Sequence, residues 1–259
     1  MCELKEFFSL LDEYAPLSIS HKMIEKGSYD NSGILVNSGK SVKCVLFSLD
    51  PTKMSVEEAV KLGADTIVTH HPAIYAPLKS LSVEGEGEAV LLAIKNGINV
   101  ISMHLNLDLA DRGIDYYLSR AFSTGEIEIL DYLDDSHGYG RKVAYNGTVE
   151  EVVNKAKEVL DTDKILSYGE GKISSIATFC GSGASIALDL IRKGQDIDLI
   201  ITSDVAHHEL LEFLEKGKKV LIIPHYSSEG YGFNKFYAWV KENAKSDIKA
   251  YYFDDKRFR

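Results

Sequence analysis

DTIVTHHPAIYAPLKSL, Asp65 to Leu81, opens as a short apolar strand, Thr66 to Thr69, and ends that strand on two adjacent histidines and a proline. Working outward, the apolar pattern alternates between two periods. Upstream, KCVLFSLD (Lys43 to Asp50) is a buried strand, and VEEAVKLG is a helix stopped by Gly63. Downstream, EAVLLAIKNG is a helix stopped by Gly97, and INVISMH is a further strand. Strand, helix, strand and helix at this spacing predict βαβ crossovers: an α/β fold of two lobes with mixed, largely parallel sheets flanked by helices.

Glu3 to Tyr14 reads as an amphipathic helix carrying Leu4, Phe7, Phe8 and Leu11 on one stripe. The rhythm loosens over Ser123 to Gly140, an acidic stretch without a helical pattern, which reads as a passage between lobes. A second alternation follows. Val149 to Leu160 is a helix, and Lys164 to Tyr168 and SSIATFC are strands. After the GSGAS loop come helix Ile186 to Gly194, strand DLIITSD, helix His208 to Gly217 and strand KVLIIPH. A helix near Tyr231 to Ala244 and the strand KAYYF close the chain.

The 259 residues suffice for one large domain or two modest ones, with 45% hydrophobic and 26% charged residues, an ordinary globular composition. A formal net charge of −10 and no basic stripe argue against a nucleic-acid partner. Cys2, Cys44 and Cys180 are few, odd in number and far apart. That pattern fits core packing in a reducing, cytoplasmic compartment and excludes a disulfide framework or a cysteine-based zinc site. The N-terminus is not patterned as a signal peptide. No apolar run approaches ~18 residues, so no membrane partner is expected.

Of eight histidines, His21 and His137 read as surface residues; the other six fall at or just after predicted strand ends. His70 and His71 follow DTIVT, and His104 follows INVISM. His207 and His208 follow DLIITSD, and His225 follows KVLIIP. In open α/β sheets the carboxyl edge is where ligands bind. Carboxylates accompany them. HLNLDLADRG sets His104, Asn106 and Asp108 at alternate positions, on one side of an extended segment; Glu229 stands four after His225; Asp204 precedes His207. Such donors suit zinc, iron, manganese or cobalt. Asp204 with His207 reads equally as a helix N-cap with a first-turn histidine. Neighbours in a strand point to opposite faces, so His70 and His71 suit two ions about 3.5–4 Å apart better than one. Pro72 assists by holding His71 out of helical geometry.

Together, HHPAIYAPLKSL, HLNLDLADRGID, FCGSGAS, TSDVAHHE and HYSSE, in this order, resemble the Nif-three-like family, the GTP cyclohydrolase 1 type 2 homologues or YbgI-like dinuclear metal proteins. YDNSGILV and GYGR add to the resemblance, which runs from about Tyr29 to Glu229. It implies two lobes, here 1–122 plus 225–259 carrying the metal site and 123–224 as the second. It implies two divalent metal ions per chain on His70, His71, Asp108, His225 and Glu229, with Glu229 bridging. It also implies a ring-shaped homohexamer. His104 would be an extra ligand or a neighbouring group, and His207 or His208 with Asp204 would line the cavity. Leu105 and Ser203 replace the threonine and glycine of many members, without removing a ligand.

With metals in place, the expected chemistry is hydrolysis of a nucleotide or related small molecule. Glu229 and His104 are the catalytic candidates, His104 as general acid or base if it is not a ligand. Lys79 is a candidate contact for an anionic substrate group or a plain surface residue. The GSGAS loop reads either as an anion site or as a tight turn. Metal handling without turnover, or regulation, is the alternative function. A GTP-directed activity is implied only by the family resemblance.

Overall fold

The computed structural model describes residues 2–85 and 87–258. Two amphipathic helices, α1 (Leu4–Tyr14) and α2 (Leu17–Glu25), lead into strands β1 (Gly33–Val36) and β2 (Cys44–Ser48). Then follow α3 (Lys53–Leu62), β3 (Thr66–Thr69), α4 (Glu88–Lys95), β4 (Asn99–Ser102) and the short α5 (Leu105–Leu109). The chain continues through α6 (Ile114–Arg120), β5 (Ile127–Tyr132), β6 (Gly138–Thr148), α7 (Val149–Leu160), β7 (Leu166–Tyr168) and β8 (Lys172–Thr178). It closes with α8 (Ala184–Arg192), β9 (Leu199–Thr202), α9 (His207–Glu215), β10 (Lys219–Ile222), α10 (His225–Asn243) and β11 (Lys249–Phe253).

Two compact units result. The first holds residues 1–110 and 233–255, the second 111–232 and 256–259. The sequence reading drew the crossings at 122/123 and 224/225; by compactness they fall at 110/111 and 232/233.

In the first unit the strand order is β1-β4-β3-β2-β11, parallel except for β1 against β4. The β2, β3 and β4 residues are buried throughout, as expected of parallel strands covered on both faces. Leu46, Ile67 and Val100 pack against Val56 and Ala59 of α3 and Val90 and Ala93 of α4. α3 is opened by a capping box in which Thr52 and Ser55 satisfy each other's amides. On the other face Phe47 meets Phe233, Phe236 and Tyr237 of α10 at 6.2, 6.0 and 5.4 Å between ring centroids.

In the second unit the order is β5-β6-β8-β9-β10-β7, with only the β8/β9 and β9/β10 pairs parallel. The core joins Ala177, Ile200 and Val220 of the sheet to Ala187, Leu188 and Ile191 of α8 and Phe213 of α9. Here the structure corrects the passage read over Ser123 to Gly140, which forms β5 and the start of β6 in antiparallel pairing. Glu128 and Asp131 hide the strand signal in the sequence. Both are exposed, and β5 lies at the sheet edge, where charge is tolerated and discourages pairing with another chain.

Candidate metal centre

The paired histidines take their geometry from the way β3 ends. The amides of His70 and His71 both donate to the carbonyl of Leu49, at 3.1 and 3.0 Å, so the ladder stops advancing and the chain turns. Thr69 Oγ1 donates to the His71 carbonyl at 2.8 Å and holds the turn. Successive side chains of a regular strand would diverge; here the two imidazoles lie 4.9 Å apart.

Each ring is then oriented from behind. His70, fully buried, sets Nδ1 2.8 Å from the Met103 carbonyl. His71 Nδ1 lies 2.7 Å from Asp50 Oδ1, and His104 Nδ1 lies 2.7 Å from Asp30 Oδ1. An oxygen acceptor at Nδ1 selects the tautomer that donates there and leaves Nε2 the basic nitrogen, the arrangement found behind metal-ligating histidines. Asp30 also accepts the hydroxyls of Ser20 and Ser32. Burial pushes its pKa up, but the His104, Ser20 and Ser32 hydrogen bonds outweigh that and hold the carboxyl below the usual range. His70, His71 and His104 each bring one potential ligand atom within 4.8 Å of the others, a cluster that could hold a metal ion.

Asp108 joins this group by a route that differs from the expected extended segment. Residues 105–109 are helical, with Asp108 N donating to His104 O at 3.0 Å. Past β4 the chain has left the sheet, so its backbone groups are satisfied locally. Asp108 Oδ1 stands 3.5 Å from His70 Nε2. Asn106 turns away, donating to the Ala15 carbonyl at 2.7 Å, and belongs to the scaffold.

In the second unit α10 begins at His225, six residues before the expected start near Tyr231. Spacing four therefore places His225 and Glu229 on one helical face, with Nε2 2.9 Å from Oε1. Asp204 accepts from His225 Nδ1 and from Ser182 Oγ, the latter at 2.7 Å. Asp204 holds φ +44°, which an L-residue adopts at a cost. Burial pulls the His225 pKa down; the hydrogen bonds and charges of Glu229 and Asp204 more than offset this and push it up to about 9. Glu229 is buried against the Gly181 turn, whose amide donates to Ser228 Oγ at 3.0 Å.

Asp204 is not an N-cap: Ala206 occupies that position before α9, with Glu209 returning to its amide. His207 and His208 are exposed on α9, and Lys79 is exposed. His21 is exposed, and His137 binds Asp134 in the β5–β6 turn. Of the expected ligands, His70, His71 and Asp108 thus lie in the first unit with His104, and His225 and Glu229 in the second.

Asp30 and Asp50 escaped the sequence reading. Asp50 lies two residues beyond β2, the same placement that singled out the histidines, so the strand-end rule finds it when applied to carboxylates. Asp30 precedes an antiparallel edge strand, where that rule is silent.

Residues 2–256 match the family described as Duf34/NIF3 (NGG1p interacting factor 3). The chain belongs to the Duf34/NIF3 family. Among Duf34/NIF3 relatives, the GTP cyclohydrolase 1 type 2 homolog of Clostridium perfringens is 30% identical over 255 residues, covering 95% of this chain and 94% of that protein. The NGG1-interacting factor 3 of Saccharomyces cerevisiae is 29% identical, covering 78% and 79%. The crystal structure of the Staphylococcus aureus hypothetical protein SA1388 superposes with a TM-score of 0.83 at 25% identity, covering 98% of this chain and 96% of that one. Among the described residues no helix is long and apolar enough to cross a membrane.

Proposed function

We propose that the histidine cluster of the first unit and the His225–Glu229 pair of the second serve one dinuclear centre. His70, His71, Asp108, His225 and Glu229 would hold two divalent ions, of zinc, iron, manganese or cobalt, with Glu229 serving both. The centre hydrolyses a nucleotide or a related small anionic molecule. A GTP cyclohydrolase-type ring opening is the activity suggested by the name of the Clostridium perfringens relative.

The observation that carries this reading is common to all four imidazoles. Each has Nδ1 against an oxygen acceptor, Met103 O, Asp50, Asp30 or Asp204, which keeps a proton at Nδ1 and presents Nε2 to the centre. Membership of the Duf34/NIF3 family, whose motifs the ligand segments resemble, supports joining the two sets.

When bound, the ions supply Lewis acidity and lower the pKa of a water molecule. The chain does the rest. Asp30 holds the Nδ1 proton of His104, so Nε2 is the atom that takes up and returns a proton during turnover. Burial of Glu229 keeps its carboxylate poorly hydrated and strengthens its interactions. The three buried free cysteines fit a reducing cytoplasm, and we extend the family resemblance to a homohexamer. The net charge of −10 argues against a nucleic-acid partner.

Metal handling without turnover is the second reading, favoured by the 26% and 33% side-chain exposure of His71 and His225, which leaves ligands within reach of an acceptor. Hydrolysis by metal-loaded protein, measured over a panel of nucleotides and phosphate esters beside Glu229→Ala and His104→Ala, separates the two. Turnover lost in both variants, with circular dichroism and oligomeric mass unchanged, supports the hydrolase. Metal transfer to a chelating acceptor with no turnover on any substrate supports the second.

A further inference from the structure

Two tyrosines stand in water beside the histidine cluster. Tyr29 and Tyr75 are 50% and 53% exposed, and their rings meet edge to face at 4.9 Å. They come from separate segments tied together by Asn31, whose side-chain amide donates to the Ile74 carbonyl at 2.6 Å. Both segments also supply the cluster: Tyr29 precedes Asp30, which orients His104, and Tyr75 follows His71 by four residues. Tyr75 lies 6.3 Å from the His104 ring, which in turn lies 5.2 Å from His70 and 5.9 Å from His71. A continuous run of rings therefore leads from the exposed pair to the buried histidine.

Scattered single aromatics on a surface need no explanation; a fixed pair joined ring by ring to a ligand cluster does. Aromatic faces left in water at such a place suit a planar ring, because stacking on them tolerates any heteroaromatic base.

We propose that Tyr29 and Tyr75 form a stacking platform for the ring of a mononucleotide-like substrate, with the ring on the tyrosines and the anionic group at the histidines. The proposal rests on the dinuclear reading for its anionic end only. A stacked ring sits with its centroid about 4.5–7 Å from that of Tyr75, which places it beside the cluster rather than inside it. The part of the ligand that reaches the partly exposed His71 and His104 is then the sugar phosphate. Lone adenosine isolates the platform from the metal, and ribose 5-phosphate isolates the metal from the platform.

The test is calorimetric titration of the full-length, zinc-loaded protein with AMP, adenosine and ribose 5-phosphate, with zinc per chain and oligomeric mass measured on the same samples. Wild-type protein should bind AMP more tightly than ribose 5-phosphate. Tyr75→Ala should weaken AMP about 10- to 100-fold and leave ribose 5-phosphate unchanged, while Tyr75→Phe keeps wild-type binding. Tyr29→Ala should weaken AMP in the same sense. Equal affinity of wild type for AMP and ribose 5-phosphate overturns the proposal. So does a Tyr75→Ala variant that loses both equally, or one whose oligomeric mass falls, which would place the pair in a subunit interface. Adenosine binding that is lost in Tyr75→Ala while wild-type protein takes up no zinc supports the platform and removes the dinuclear centre.

Discussion

Gly181→Ala and Gly63→Ala differ in one respect, and that difference reports on Glu229. Both glycines hold left-handed backbone, φ +57° and +68°. An alanine in that region costs about 1–2 kcal/mol, so backbone strain should destabilise the two variants alike. Their surroundings are unlike. A Cβ at Gly63 meets nothing within 4 Å. A Cβ at Gly181 collides with Glu229 Oε1 and comes within 3.4 Å of the His225 ring. The colliding atom is the one that lies 2.9 Å from His225 Nε2, so the carboxylate must leave its place. Glu229 is itself a proposed ligand, so its displacement should lower affinity by at least the factor of about 10 to 100 that loss of a group behind a ligand costs. Urea unfolding of the metal-free variants should show a loss of about 1–2 kcal/mol in Gly63→Ala and a larger one in Gly181→Ala, where a buried carboxylate must also move. Competition with a chromophoric chelator should show zinc affinity reduced in Gly181→Ala and unchanged in Gly63→Ala. Wild-type zinc affinity in Gly181→Ala, or an equal loss in both, would refute the reasoning.

Three further outcomes follow from other contacts. Asp50→Asn and Asp204→Asn, which remove the carboxylates behind His71 and His225, should each lower zinc affinity about 10- to 100-fold with unchanged circular dichroism. Asp115→Ala leaves Arg141, 1% exposed, without the carboxylate 3.7 Å from its Nη1, and should cost about 3–5 kcal/mol in urea unfolding; Arg141→Met together with Asp115→Leu should cost less. Hydrogen bonds from the Ser174 hydroxyl and amide hold the Asp198 pKa below its ordinary value. Its stabilising contribution is therefore complete above the unfolded pKa and lost as pH falls through the lower folded one. Asp198→Asn should flatten the fall in stability on the acid side of pH 4, measured by urea unfolding across pH.

Much of this fold was legible because its strands are buried on both faces. TIVT, CVLFS and LIIT read as apolar runs bounded by glycine or turn residues, and each forms a strand within those runs. Of the edge strands, β7 and β11 were legible and β1 and β5 were not. β5 carries Glu128 and Asp131 on an exposed edge, and its charges mask the alternation. The helix over 105–109 was missed because LNLDL has a strand's period; its helical state is set by the loss of neighbouring strands past β4. The site divided along the same line. The histidines at strand ends could be seen because parallel strands deliver their ends to one edge. The turn that brings His70 and His71 together depends on a shared hydrogen bond to Leu49, 21 residues before His70, which no local pattern reveals. Asp30 reaches His104 across 74 residues of chain, so their pairing is a property of the fold alone.

Metal content per chain, by elemental mass spectrometry on protein purified without an affinity tag or chelator, tests the dinuclear centre most directly. Wild-type protein should carry close to two divalent ions per chain. His71→Ala in the first unit and Glu229→Ala in the second should each lower that number with the fold and oligomeric mass intact. A low metal content that neither substitution changes would contradict a centre built from both units.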